Sequence, residues 1–308
     1  MAYHRITSVV DQHMTEDMAK YQLSHGQLSI GYYMNQETKH SIIHSHPFYE
    51  YILVKKGIAE YHVNGARFFL RPGEMLLISP DVLHAMHCAD AEESYERLIL
   101  QINAAFMEQV LAACGLEHRI GAMPSLYTLR ADSVHYWNLH GLLDRINTAS
   151  SIEDAALREN LHRSQMMELM LTIEQITRTE QVQPPSASSK LIVNVTAYIQ
   201  EHFREPELTV ARIAQHTYVS REHLSRTFRE YTGESISRYL TELRMQEFRH
   251  GLLEGKGILN ASLESGFSDY SSFVKSFRKL YGITPMDYRE QLHTAMDQSK
   301  DEDREGLR

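Results

Sequence analysis

Residues 209 to 289 carry one helix-turn-helix pattern twice, and this internal repeat constrains the fold more than any other feature of the chain. An offset of 49 pairs Ser220 with Asp269, Leu224 with Phe273, Arg226 with Lys275, Phe228 with Phe277, Arg229 with Arg278, Gly233 with Gly282 and Tyr239 with Tyr288. Upstream the offset is 48, pairing Val210 with Ile258, Ile213 with Ala261 and Ala214 with Ser262, so the units differ by one residue in the turn. Two small helical modules that each place one helix in a groove predict a DNA-binding protein.

Ser220 and Asp269 are N-cap residues for helices expected to run to about Tyr231 and Tyr281. In the first helix Leu224 and Phe228 face the core. Glu222, Ser225, Arg226 and Arg229 then form one exposed stripe, with Arg221 at its start. In the second, Phe273 and Phe277 face the core, leaving Ser271, Val274, Lys275 and Arg278 outside, with Tyr270 at the start. Such stripes suit phosphate positioning and base-edge reading. A single amphipathic helix of this kind is most simply a solvated face. Two equivalent helices with Arg or Lys at equivalent sites, joined by the helical stretch SISRYLTELRMQEFRHGLL, are not expected of incidental surface.

The net charge of -9 on 308 residues fits this reading only once it is divided along the chain. Residues 1 to 183 carry -8, residues 184 to 296 carry +1, and the tail from Asp297 carries -2. Affinity for phosphate must therefore come from charge placement and from self-association. No apolar run approaches the roughly 18 residues that span a bilayer, and the first residues lack the blocks of a signal peptide, so a cytoplasmic chain is expected. Cys88 and Cys114 have no zinc-finger spacing.

Residues 27 to 102 read as short strands, with Asn64-Gly65 as a hairpin signal and Arg71-Pro72-Gly73 as a turn, the pattern of a sandwich or small barrel. From Phe106 the pattern is helical. One helix places Leu157, Leu161, Ser164 or Met167, Leu171 and Ile176 along one side, to pack on the barrel or on a second copy. The polar TEQVQPPSASSK reads as a linker. The fold class is thus two-domain, β plus α. The expected divisions are a barrel domain with flanking helices at 1–178, a linker at 179–190, a double helix-turn-helix at 191–295 and an acidic, disordered tail at 296–308.

The C-terminal block resembles the DNA-binding domain of the AraC/XylS family of bacterial transcription regulators. Leu208-Thr209, Ile213-Ala214, Ser220, Leu224, Phe228, Gly233, Arg244, Leu252-Leu253, Ile258, Gly266-Phe267, Ser272-Phe273, Phe277 and the closing Gly282, Thr284-Pro285, Tyr288-Arg289 carry the resemblance. It implies two subdomains bridged by a helix, with Glu222, Ser225, Arg226, Tyr270, Ser271, Val274 and Lys275 facing bases. Ala261, Ser262 and Ser265 stand where the family has larger apolar residues, so looser packing of the second unit is expected.

His44-Ser45-His46-Pro47-Phe48-Tyr49-Glu50, Gly57 and Pro80 to His84 resemble the pattern of cupin barrels and of the sugar-binding, dimerising domain of AraC-type regulators. In cupin enzymes the counterparts of His44, His46, Glu50 and His84 hold a divalent metal. In regulators the same residues also serve as effector contacts or as strand braces without metal, and those alternatives stay open. Tyr33, His44, His46, Tyr49, Glu50, Tyr61 and His84 are the candidate effector residues. Tyr, His and Glu together suit a polyhydroxylated, carbohydrate-like ligand, although alternating aromatic residues also simply fill barrels.

The resemblance implies a homodimer that binds double-stranded promoter DNA, answers to a small molecule and recruits RNA polymerase as an activator. The alternatives are a metal-dependent cupin enzyme fused to a DNA-binding module and a regulator that answers to a protein partner or to no ligand. Arg226→Ala is expected to cost on the order of 1 to 3 kcal/mol in specific binding and to relax base choice at one position. An unchanged footprint and binding curve would place Arg226 off the DNA.

Overall fold

A computed structural model describes residues 3–6, 26–35, 44–63, 66–88, 94–119, 126–179 and 190–305, with scattered positions between 11 and 23. The strands come first: β1 (Tyr3–Ile6), β2 (Leu28–Asn35), β3 (Phe48–Lys56), β4 (Ala59–Val63), β5 (Ala66–Leu70), β6 (Met75–Ile78), β7 (His84–Cys88), β8 (Tyr95–Asn103) and β9 (Leu126–Leu129). They form a six-stranded sheet in the order β1-β2-β8-β3-β6-β9 and a three-stranded sheet in the order β5-β4-β7. Asn64-Gly65 lies outside the described residues, but β4 and β5 pair antiparallel up to Val63 opposite Ala66.

Strand β3 sets the layering, because it is buried along all but its last two residues and so has no solvent side. Ile52 and Val54 point toward the three-stranded sheet and join Tyr61, Val63, Ile78 and Met86 in an inner core. The alternate residues Tyr49, Tyr51 and Leu53 point outward into a second core. That outer core is closed by α1 (Ala104–Ala113), α2 (Ala131–Tyr136), α3 (Leu139–Ala149) and α4 (Ala155–Thr179).

Helix α4 buries His162, Met166, Leu169, Met170, Ile173 and Ile176 against the barrel, while Leu157 and Leu171 are 51% and 47% exposed. Of the stripe expected from Leu157, Leu161, Ser164 or Met167, Leu171 and Ile176, only Ile176 is fully buried. Met166, Leu169, Met170 and Ile173 fill the inner face with it, and Leu157 and Leu171 lie beside it.

The second half is helical: α5 (Lys190–His202), α6 (Val210–His216), α7 (Arg221–Thr232), α8 (Ile236–Leu253), α9 (Ile258–Glu264), α10 (Tyr270–Tyr281) and α11 (Pro285–Glu305). The interior of the expected linker lies outside the described residues. Helix α11 runs on to Glu305, so the tail expected to be disordered from residue 296 has helical backbone instead. No helix is long and apolar enough to cross a membrane among the described residues.

Each helix-turn-helix unit has its own core. The first gathers Ile213, Leu224, Phe228, Ile236 and Tyr239 and takes in Leu83 and Ala85 from the barrel domain. The second gathers Phe248, Phe267, Phe273, Phe277, Tyr281 and Tyr288. Ala261, Ser262 and Ser265 are fully buried there, and both serine hydroxyls donate to main-chain carbonyls of the same helix at 2.8 Å. A Cβ at Gly251 would lie 3.1 Å from the Ala261 Cβ, so the small residues let α8 and α9 approach closely. The weaker packing expected at these residues is not seen, because the close approach of α8 and α9 leaves all three buried.

The arm preceding β2 closes the two halves together. Arg249 of α8 is 1% exposed and pairs through Nε with both Asp17 oxygens at 3.1 and 3.2 Å. Its Nη1 donates to Glu242 at 3.2 Å and to the Tyr281 hydroxyl at 2.6 Å, and Tyr288 donates to Asp17 at 2.8 Å.

Gly266 is where the second unit touches the first. It has φ +93°, and an added Cβ would lie 2.5 Å from the Phe203 carbonyl oxygen and 2.7 Å from the Arg204 Cα. The equivalent turn position of the first unit holds Tyr218 at φ +56°, with its ring 95% exposed and nothing to clash with. Gly266→Ala is expected to lower stability by about 2 to 3 kcal/mol, read as a shift of the urea midpoint at unchanged slope. A midpoint within experimental error of the unsubstituted chain would show that the two units can separate at this contact.

Candidate functional site

The two groove-facing helices are built alike. The Ser220 hydroxyl accepts from the His223 amide at 3.1 Å, and an Asp269 carboxylate oxygen accepts from the Ser272 amide at 2.8 Å, so each helix starts at the expected cap. Leu224 and Phe228 in α7, and Phe273 and Phe277 in α10, are completely buried. Gly233 and Gly282 end the helices in left-handed conformation at φ +77° and +72°.

That packing turns Arg221, Glu222, Ser225, Arg226 and Arg229 outward from α7, and Tyr270, Ser271, Lys275 and Arg278 outward from α10. Val274 differs: it is half-buried against the second core. Asp287 lies near enough to Arg278 for the guanidinium charge to help hold its carboxyl low, after the hydrogen bonds from Thr284.

Inside the barrel, a bridge joins His44 to His84, each amide donating to the other's carbonyl at 2.9 Å. The ligating nitrogens of His44, His46 and His84 all lie within 4.8 Å of one another. His46 Nδ1 lies 3.0 Å from the Phe48 carbonyl and His84 Nδ1 lies 2.8 Å from the Val82 carbonyl. Carbonyl oxygens only accept, so each Nδ1 carries a proton and each Nε2 is the nitrogen turned toward the cluster. Those two Nε2 atoms are buried and have no hydrogen-bond partner. They point toward the Glu50 carboxylate, at 3.4 Å from His46 and 3.8 Å from His84.

Imidazole nitrogens facing a buried carboxylate are stabilised by positive charge between them, whether a proton or a cation, and imidazoles oriented through their second nitrogen are the usual supports of a metal site. The donors fit a divalent cation. In a tetrahedral site, metal–nitrogen bonds of about 2.0 to 2.1 Å put the donors about 3.4 Å apart, so donors that now lie within 4.8 Å of one another would draw in by up to about 1.4 Å. Burial holds the His84 imidazole down to about 3, reinforced by His44 and His46. Burial would raise the Glu50 carboxyl, but the neighbouring His46 and His84 and the Gln101 amide together pull it below the usual carboxylate range. Gln101 donates to Glu50 at 2.9 Å.

A cavity of about 60 Å³ adjoins the cluster, lined by Tyr33, His44, Glu50, Tyr61, His84, Arg97 and Gln101, together with Ile6 and Thr15 of the arm. Tyr33 is among the lining residues, and burial pushes its phenol up to about 12 against the pull of Arg97. The Tyr61 hydroxyl lies 3.0 Å from the Tyr95 hydroxyl. Tyr49 does not join them: strand alternation sends it to the outer core, opposite Glu50. Arg97 and Gln101 were not anticipated, although two polar residues four apart in the apolar strand YERLILQIN share its inner face. Arg97 donates to Asn35.

The AraC-like ligand binding domain family matches residues 27–170, and a helix-turn-helix domain family matches residues 213–291. Over 106 residues the chain is 34% identical to the HTH-type transcriptional regulator ArgR of Pseudomonas aeruginosa, a span of 34% of this chain and 32% of that protein. It is 25% identical over 240 residues to the arabinose operon regulatory protein of Salmonella typhimurium, covering 77% of this chain and 82% of that one. Among solved structures, ToxT from Vibrio cholerae O395 aligns over 86% of this chain and 98% of its own, at 12% identity and a TM-score of 0.44.

Proposed function

The chain belongs to the AraC/XylS family of DNA-binding transcription regulators with an N-terminal ligand-binding domain, and on that premise we propose that its N-terminal arm is the element through which an effector in the barrel controls the DNA-binding half. One observation carries this reading. Ile6 and Thr15 line the barrel cavity, while Asp17, two residues further on, pairs with buried Arg249 of the DNA-binding half.

A cavity of 60 Å³ holds only a few waters at roughly 10 to 15 Å³ each. A carbohydrate-sized effector must therefore enlarge it, and in this reading it does so by displacing Ile6 and Thr15, with the strain passing to Asp17. Arg97, Glu50, Gln101 and the phenol of Tyr33 supply the hydrogen bonds that hydroxyl groups need. A divalent cation held by His44, His46, His84 and Glu50 would supply a positive charge for an oxygen of that ligand.

In the proposed complex Arg221, Glu222, Ser225, Arg226 and Arg229 of α7 meet one major-groove segment of promoter DNA. Tyr270, Ser271, Lys275 and Arg278 of α10 meet the next, with Val274 confined to an apolar contact at the edge. The regulator is taken to act as a homodimer, supported by the exposed Leu157 and Leu171 on α4, and as an activator that recruits RNA polymerase. Transcription in vitro with and without effector tests the activator assignment.

A thermal-shift screen against sugars, sugar acids, small aromatics and divalent metals tests the effector class, since a ligand at 100 times its Kd stabilises by about 2.7 kcal/mol. A sugar is expected to raise the Tm, and Asp17→Ala is expected to retain that shift while making DNA binding insensitive to the sugar. Sugar-dependent DNA binding that survives Asp17→Ala would remove the arm from the mechanism. His44→Ala with His46→Ala is expected to abolish bound metal, and unchanged metal content would place the cation elsewhere.

A further inference from the structure

Consecutive residues of an extended segment point in opposite directions, and the segment His44-Ser45-His46 uses that rule to connect the barrel interior with the DNA-binding half. His44 and His46 turn inward to His84 and Glu50. Ser45 turns the other way and is 9% exposed. Its carbonyl accepts from Gln246 Nε2 of α8 at 2.8 Å, and its hydroxyl accepts from Gln200 Nε2 of α5 at 3.3 Å. One helix bridges the two helix-turn-helix units and the other opens the first, so this single residue touches the frame of the whole DNA-binding half.

The segment is also stiff on its inner side. Phe48 stacks on the His46 ring at 3.9 Å and 3° between planes, His46 Nδ1 is tied to the Phe48 carbonyl, and the His44 main chain is tied to His84. A change in the position of the imidazoles cannot be absorbed by free rotation, so it moves the Ser45 main chain. The drawing-in that a cation requires, up to about 1.4 Å for the widest donor pair, is enough to make or break a hydrogen bond of this length.

We propose that cation occupancy of the histidine cluster is read by the DNA-binding half through Ser45, with Gln246 and Gln200 as the receiving side chains. This rests on the reading that His44, His46, His84 and Glu50 hold a divalent cation. It adds a second line of control to the arm, because Gln246 and Gln200 bond to Ser45 and the arm acts through Asp17 and Arg249. The coupling is reciprocal: docking of the DNA-binding half holds the histidines in place and tightens cation binding.

The test uses the full-length protein, stripped with chelator and then given zinc, which three imidazoles and a carboxylate suit. Zinc uptake is measured by calorimetry, and amide hydrogen exchange is followed in residues 190–202 and 236–253. In the unsubstituted protein zinc is expected to bind and to slow exchange in both helices about tenfold, the effect of strengthening two neutral hydrogen bonds. Gln200→Ala with Gln246→Met removes both donors at half-buried positions. This variant is expected to bind zinc with the slowing confined to the barrel strands.

Equal slowing of α5 and α8 in the variant overturns the proposal and leaves the cation site standing. Zinc binding to the unsubstituted protein with no change in either helix does the same. No zinc uptake by the unsubstituted protein removes the cation site itself and the proposal with it.

Discussion

A guanidinium that leaves water must find its partners inside the protein, and Arg249 has left it almost wholly. Its partners come from separate parts of the chain: Asp17 from the arm, Glu242 from its own helix and Tyr281 from the end of α10, with Tyr288 of α11 holding Asp17 in turn. Neither Asp17 nor Arg249 has a low-energy position without the other. The arm, the bridging helix and the second aromatic core are thereby packed as one problem, and the barrel domain inherits a fixed neighbour.

Much of this was legible in the sequence because the helix-turn-helix units depend on local chemistry. Ser220 and Asp269 cap, Leu224, Phe228, Phe273 and Phe277 are buried, and Gly233 and Gly282 terminate, as spacing alone implies. Features set by partners far along the chain were not legible. Asp17 and Arg249 are 232 residues apart, and no periodicity announces such a pair. Ala261, Ser262 and Ser265 looked like missing volume, because the closeness of Gly251 across the helix pair is a tertiary fact. In α4 the sequence offers two apolar stripes, and periodicity does not say which one the barrel covers.

The barrel site divides in the same way. The spacing of His44, His46 and Glu50, with His84 on a facing strand, was legible, and the structure brings all four together. Tyr49 was assigned to the cavity beside Glu50, yet adjacent strand residues cannot share a face. The parity rule would have excluded it, but β3 is apolar on both sides and shows no alternation. The contribution of Ile6 and Thr15 to the cavity lining was invisible because arm residues carry no pattern of their own.

The bridging helix α8 has a consequence for evolution of the target. Its 18 residues span about 27 Å at 1.5 Å each, comparable with the roughly 34 Å of one DNA turn. The two reading heads are thus held by a ruler whose length is counted in residues. Adding one residue would swing one head by about 100° around the other. Operators for this protein can drift in letters while their spacing stays rigid, and binding sites should diversify by base substitution far more readily than by insertion.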